Sequence, residues 1–249
     1  MKFLVAISDM QIPFEDPWAI DAVAAFIEDY KPDMVFSVGD ENDLAPISRY
    51  AQGGKGEWEG NLGKERDRTV EVMGMLGITH VTRSNHRDRW FAALARVPAF
   101  ANIPELDMET FFKFKELGVT YHDTPWDPTG TGDWLLMHGD EGSMSPKAGL
   151  TALGLSNRTM KSVICGHTHR AAAIPQTFTY LGDPDPKKLW GFEVGTLADF
   201  DSPGMKYAKF KNWQQGFGIL QVADDGTVSP LAVHITNRSF VVDGTQYAW

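Results

Sequence analysis

Five short apolar runs constrain this chain more than any other feature: each has the length of a strand buried on both faces, and each ends on a carboxylate, amide or imidazole. Phe3 to Ser8 stops at Asp9, and Met34 to Val38 runs into Gly39-Asp40-Glu41-Asn42-Asp43. Ile78 to Thr82 leads to Ser84-Asn85-His86, Trp134 to Met137 meets His138-Gly139, and Ser162 to Cys165 meets Gly166-His167-Thr168-His169. Sheets of α/β proteins build their sites in the crevice beyond the carboxyl ends of their strands, so neighbouring strands of this kind must bring these groups together. Helical periodicity fills the gaps. Asp16 is a cap with Pro17 in the first turn, Val23, Phe26, Ile27 and Tyr30 form one stripe, and Pro32 stops the helix. A polar helix carries Val70, Met73 and Leu76 on one side, and another lies around Lys147 to Leu155. Gln52 to Gly63 reads as an exposed Gly-rich loop in which Trp58 could cover a substrate base. From Gln176 the pattern is β-rich, with Asp225-Gly226 as a hairpin turn between Phe217–Val222 and Val228–Ile235. No repeat, low-complexity tract or linker divides the chain, so one domain is expected over 1–249, with 176–249 as added strands.

Composition narrows the function. With 33 Asp and Glu against 23 Lys and Arg, the formal charge is −10, which disfavours sequence-independent binding of long duplex DNA through a basic surface. No apolar run approaches the roughly 18 residues of a membrane span, and Phe3 to Ile7 is too short for a signal-peptide core; a soluble cytoplasmic protein with no membrane partner is expected. The single cysteine, Cys165, excludes an intramolecular disulfide and a cysteine-built zinc site. Asp9, Asp40, Asn85, His138, His167 and His169 instead offer mixed oxygen and nitrogen donors that suit Mn²⁺, Fe²⁺, Zn²⁺ or Ni²⁺. Two such ions about 3.5–4 Å apart clamp a phosphate, generate a bound hydroxide and stabilise the attacking and departing oxygens, so phosphoester hydrolysis is their natural use. Gly39, Gly139 and Gly166 flank these residues and allow tight turns and close approach of backbone to an anion.

In this order the motifs resemble the signature of calcineurin-like metallophosphoesterases: D-x-H, G-D-x-x-D, G-N-H-D/E, a His before Gly, and G-H-x-H. They span Asp9 to His169, about two-thirds of the chain. The length and opening motif also look similar to phage-encoded members of that family, which would make the location the host cytoplasm. The resemblance implies an α/β/β/α sandwich with two mixed sheets. It implies that Asp9, the residue at Gln11 and His169 hold one metal, that Asn85, His138 and His167 hold another, and that Asp40 bridges them. Two divalent ions follow, with Mn²⁺ first and Fe, Ni, Zn or Mg as alternatives. His86 becomes the imidazole that protonates the leaving alkoxide.

Three positions depart from the pattern. Gln11 stands where the family has histidine and offers a harder, weaker donor, Ser84 replaces a glycine, and Arg87 replaces an acid. Arg87 is thereby a candidate to bind a phosphate oxygen together with Asn85, with Asp88 as its ion-pair partner. Asp43 reads as a residue that orients a histidine. The expected function is hydrolysis of a phosphodiester or phosphomonoester in a nucleotide or nucleic acid by metal-bound hydroxide; a homodimer is compatible with it. Glu41, Asn42 and Leu44 do not reproduce the G-D-x-V-D-R-G form of serine/threonine protein phosphatases. The alternative is a scaffold that keeps the fold while Gln11 impairs its first metal site.

Overall fold

The computed structural model describes residues 1–51, 60–100 and 102–249, so Trp58 and most of the loop read at Gln52 to Gly63 lie outside the described residues. The chain begins with β1 (Lys2–Ile7), α1 (Pro17–Tyr30) and β2 (Met34–Ser37). The N-cap forms as expected, the Asp16 carboxylate accepting the N–H groups of Trp18 and Ala19. Lys31 then turns left-handed and ends the helix before Pro32. After α2 (Leu62–Met75) come β3 (His80–Thr82), α3 (Arg87–Arg96), the short α4 (Met108–Phe111) and α5 (Phe114–Leu117), and β4 (Thr120–His122). The buried stripe of α2 runs through Glu65, Thr69, Val72 and Met73; Val70 is only half-buried, because the helix is rotated toward the next turn.

The second half supplies β5 (Trp134–Leu136), α6 (Leu150–Thr159), β6 (Ser162–Cys165), β7 (Ala171–Phe178) and β8 (Lys187–Val194). It closes with β9 (Gly216–Val222), β10 (Val228–His234) and a small hairpin of β11 (Ser239–Val242) and β12 (Thr245–Ala248). One mixed sheet has the order β10-β9-β1-β2-β3-β4 and the other β5-β6-β8-β7. Strands β1 to β4 are parallel, whereas β9 pairs antiparallel with β1, Lys2 opposite Val222. The β9–β10 hairpin turns at Asp225-Gly226 with Val222 opposite Val228, as the sequence predicts.

Three apolar layers hold these elements together. On β1, Val5 and Ile7 meet Ile20, Val23 and Phe26 of α1. Their neighbours Leu4 and Ala6 face the other way, toward Leu136, Ile164 and Phe192 of the smaller sheet. Beyond that sheet, Val163 and Cys165 pack on Ala152 and Leu155 of α6. The alternation along β1 and β6 therefore buries both faces of each strand, and the layers read helix, sheet, sheet, helix: the α/β/β/α sandwich with two mixed sheets. Facing sheets leave one crevice at the carboxyl ends of β1, β2, β3, β5 and β6.

The closeness of the last layer is testable at Gly191 in β8, where an added Cβ would lie 2.3 Å from the backbone nitrogen of Leu153. Gly191→Ala should lower the unfolding free energy by about 1–3 kcal/mol or more in urea titrations. Parent-like stability would mean that α6 stands further from β8.

Candidate metal centre

Strands β1, β2 and β6 deliver their terminal residues through a sharp reversal of the backbone. Asp9, Gln11, Asp40, His167 and His169 adopt φ between 49° and 64°, a region that costs a non-glycine residue about 1–2 kcal/mol. The reversals are cross-linked: Asp9 N–H donates to the Gly39 carbonyl, Gln11 N–H to the Asp40 carbonyl, and His167 N–H to the Asp9 carboxylate at 2.9 Å. Gly39, with φ of 111°, makes the tight turn expected of it, and close packing also requires glycine there and at Gly166. A Cβ at Gly166 would fall 1.9 Å from Ser8 Oγ and one at Gly39 2.7 Å from His138 Nδ1.

The structure brings together Asp9, Gln11, Asp40, Asn85, His86, His138, His167 and His169. Nitrogen or oxygen atoms of Asp40, His138 and His167 lie within 4.8 Å of one another, the arrangement of a possible metal-ligand cluster. His138 Nε2 is 3.2 Å from Asp40 Oδ2 and 3.0 Å from Asn85 Oδ1. Its Nδ1 faces the Val38 carbonyl at 3.0 Å and donates there, which leaves Nε2 as the nitrogen that would ligate a cation once its own proton is displaced. On the other side, His169 Nε2 is 3.2 Å from Asp9 Oδ1, and Gln11 Nε2 donates to Asp40 Oδ2 at 3.2 Å. Asp9 Oδ1 and Gln11 Oε1 are buried without a hydrogen-bond donor. Orphaned oxygens beside imidazoles are what a bound cation would satisfy, so the residues present fit a divalent metal.

The electrostatics follow from this crowding. Burial alone would raise the Asp40 carboxyl, but His138 and His86 outweigh it and hold Asp40 well below the usual carboxylate range. Asp9 is lowered in the same way, against burial, chiefly by His169. Burial opposes charge on His138, yet Asp40 and Asp9 push it up to about 10. His86 and His167 go the other way: burial holds both below the ordinary histidine value.

His86 caps α3, with Nε2 3.7 Å from Asp40 Oδ2 and Nδ1 3.8 Å from Asp43 Oδ2. Asp43 therefore faces a histidine, as expected. Arg87 does not enter the cavity. It is fully buried, donates to Glu41 at 2.7 Å and lies 4.4 Å from the Phe112 ring centroid, while Asp88 pairs with Arg83 instead. The guanidinium beside the cluster belongs to Arg89, which contacts His86 Nε2 at 2.8 Å and Asp43 Oδ1 at 2.9 Å. Two helical residues apart means about 200° of rotation, so Arg87 and Arg89 point in opposite directions; a helix starting directly after His86 was the signal that could have found Arg89. Tyr50, Met144 and Tyr207 also line the 660 Å³ cavity in front of Asp40 and His167, and they come from loops that carry no periodic signal. Behind His169, Trp213 packs at 4.9 Å between ring centroids, with Lys211 5.4 Å from its own ring centroid.

Beneath these loops lie two further acids. Glu193 is buried and accepts from Thr168 Oγ1 at 2.8 Å and from the Thr151 N–H at 2.9 Å, tying the histidine loop to the start of α6. Glu65 is buried under the Asp40 loop, where it accepts the Leu44 N–H, and burial pushes its carboxyl up to about 8.

The fold is an α/β/β/α sandwich with its donor residues gathered at the strand ends. No protein-family profile matches the chain. Over 98% of its length it is 34% identical to the gene 54 protein of Mycobacterium phage D29, covering 97% of that protein. The gene 54 protein of Mycobacterium phage L5 is 32% identical with the same coverages. The chain belongs to this family of mycobacteriophage gene 54 proteins. Among solved structures, Vps29 of Entamoeba histolytica complexed with zinc is similar over 98% of this chain and 95% of that one, at 13% identity and a TM-score of 0.43. The phosphoesterase YfcE of E. coli is similar over 92% and 98%, at 14% identity and a TM-score of 0.40. Among the described residues no helix is long and apolar enough to cross a membrane.

Removing one partner of the buried Arg87–Glu41 pair should leave an uncompensated charge. Arg87→Met and Glu41→Gln should each lose about 3–5 kcal/mol in urea unfolding, and the double variant should recover most of it. A double variant no more stable than the singles would show that the pair does not hold the two loops. Glu65 makes a pH-dependent prediction. Its carboxyl titrates near 4.5 when unfolded and near 8 when folded, so between these values the folded state binds more protons and stability falls as pH rises. Glu65→Gln should flatten that decline, measured by urea titration across the window; identical slopes would remove Glu65 as its source.

Proposed function

We propose that this protein is a metal-dependent phosphoesterase that hydrolyses phosphodiester or phosphomonoester bonds in nucleotides or nucleic acid. The observation that supports the reading is the convergence of five strand ends on one cluster of carboxylate, amide and imidazole groups in which Asp9 Oδ1 and Gln11 Oε1 are buried without donors. On this reading Asp9, Gln11 and His169 hold one divalent ion, Asn85, His138 and His167 hold a second, and Asp40 bridges them. Mn²⁺ is the first candidate, because an amide at Gln11 is a harder donor than the histidine it replaces. Such ions supply Lewis-acid polarisation of phosphoryl oxygens and activation of water.

The chain's own groups do the rest. His86 presents Nε2 toward Asp40 and the cavity; in the resting site this nitrogen accepts from Arg89, so it delivers a proton to the departing alkoxide only after Arg89 turns to the substrate and the ring is protonated there. Asp43, 3.8 Å from Nδ1, orients the ring and stabilises its charged form. Arg89 hydrogen-bonds to the same Nε2 and reaches the cavity, which equips it to take a phosphoryl oxygen when substrate enters. Val38 fixes the His138 tautomer, which keeps Nε2 available as a ligand.

The test is hydrolysis of a chromogenic phosphodiester and the matching monoester by metal-stripped protein titrated with Mn²⁺, with His138→Ala as the control. Turnover of either ester should require both Mn²⁺ and His138. His86→Ala should keep the metal content while turnover falls by roughly 10²–10⁴, and Gln11→His should tighten Mn²⁺ binding in calorimetric titrations. Bound metal without turnover of either ester would favour the scaffold reading, in which the fold persists for binding alone.

A further inference from the structure

A second pocket of 500 Å³ adjoins the cavity just described, and Ser48, Tyr50 and Arg89 line both. It begins at the cluster itself, because Asn85, whose Oδ1 lies 3.0 Å from His138 Nε2, is one of its walls. Three guanidinium groups meet there, Arg49, Arg89 and Arg96. Such a concentration stands out in a chain of net charge −10. Among the described residues Asp88 is the one acid in the lining, and it is committed to Arg83. Arg89 is paired with Asp43, so among the described residues Arg49 and Arg96 are what make the pocket electropositive beside a site built of acids and histidines. Its arginines are positioned: Arg96 donates to the Ile47 carbonyl at 2.7 Å, and Arg49 donates to the Tyr50 hydroxyl at 2.6 Å.

Tyr50 stands at the junction of the two spaces. The residue is 79% exposed, leaving its aromatic side chain open to solvent. The Arg49 guanidinium lies 4.8 Å from its centroid, so a cation and an aromatic surface are presented together. Ile47 and Ala92 supply an apolar floor. Arginines that take phosphate oxygens beside an exposed ring that takes a base form the platform on which single strands bind. A phosphomonoester has one phosphate, which on the reading above sits at the metal cluster, so it would make no use of this second set of donors.

We propose that the pocket of Arg49, Arg96 and Tyr50 binds the nucleotide next to the scissile phosphate, so that the substrate is single-stranded nucleic acid. This rests on the phosphoesterase reading above and specifies its substrate. Tyr50 stacks the neighbouring base, Arg49 and Arg96 hold the neighbouring phosphate, and Arg89 spans the two spaces. The unpaired strand is selected because a base held in a duplex stack cannot lie on Tyr50.

The experiment measures binding of a fluorescent single-stranded oligonucleotide to the full chain by anisotropy, and its Mn²⁺-dependent cleavage beside that of the small chromogenic diester. Arg96→Gln, Arg49→Gln and Tyr50→Ala should each weaken oligonucleotide binding by about tenfold. The arginine variants should also reduce the salt dependence of binding by about 0.7 in log–log slope. In cleavage, their loss of kcat/KM on the oligonucleotide should exceed that on the small diester at least several-fold, and the matching duplex should bind more weakly than the single strand. Equal binding by parent and all three variants would overturn the proposal, as would equal binding of duplex and single strand. If the oligonucleotide binds through Arg96 and Tyr50 while no ester is cleaved, the phosphoesterase reading fails and the binding site stands.

Discussion

Asp9, Gln11, Asp40, His167 and His169 hold a left-handed backbone at the ends of buried strands, and the remainder of the structure is organised around keeping them there. In a regular strand these side chains would continue to alternate between two apolar layers, where a carboxylate has no place. The reversal lifts them into the crevice between the sheets. Each costs energy that local interactions cannot offset, so support comes from afar. Thr196 Oγ1 accordingly donates to the Asp9 carbonyl at 2.6 Å, and the His169 carbonyl accepts the Gln214 N–H at 2.8 Å. Positive φ also occurs in turns elsewhere, at Lys31 and Met160 for example, but here five such residues gather at the ends of three strands.

Charge is managed at two depths. In the crevice, acids and imidazoles depress or raise one another's proton affinities, leaving a compact set of donor atoms that a cation completes. One layer below, Glu41 and Arg87 are wholly buried and join the loop after β2 to the start of α3. Adjacent residues thus have opposite duties: Asp40 and His86 face the crevice, while Glu41 and Arg87 hold their loops together from behind. An ion pair here does more for position than for overall stability, since burying two charges consumes most of what their attraction returns.

Much of this was legible in the sequence. The strand-ending residues stood out because strands buried on both faces are continuous apolar runs, so the first polar residue after each is conspicuous. Helix α1 announced itself through Asp16, Pro17 and its stripe. Arg87 was misplaced because adjacency to His86 suggested a shared direction, whereas a helix turns successive side chains about 100° apart. The stripe of α2 was read correctly at Met73 and Leu76, but Val70 was included in place of Thr69 and Val72, since the buried Glu65 and Thr69 are polar and masked part of the true face. Tyr50, Met144 and Tyr207 left no trace because loops reach a cavity through tertiary geometry alone.

Strand β1 lies between β2 and β9, so the strand that positions Asp9 has a neighbour from the start of the chain and another from near its end. A nascent chain that has emerged as far as His169 already contains every motif, yet Lys2 to Ala6 still lack their partners at Gly218 to Val222. At about 5–20 residues per second the ribosome leaves that edge open for several seconds, and the pairing that closes it is non-local and slow to form. The strand that carries Asp9 thus gains its second neighbour only once Gly218 to Val222 has been made, well after the last of the five motifs.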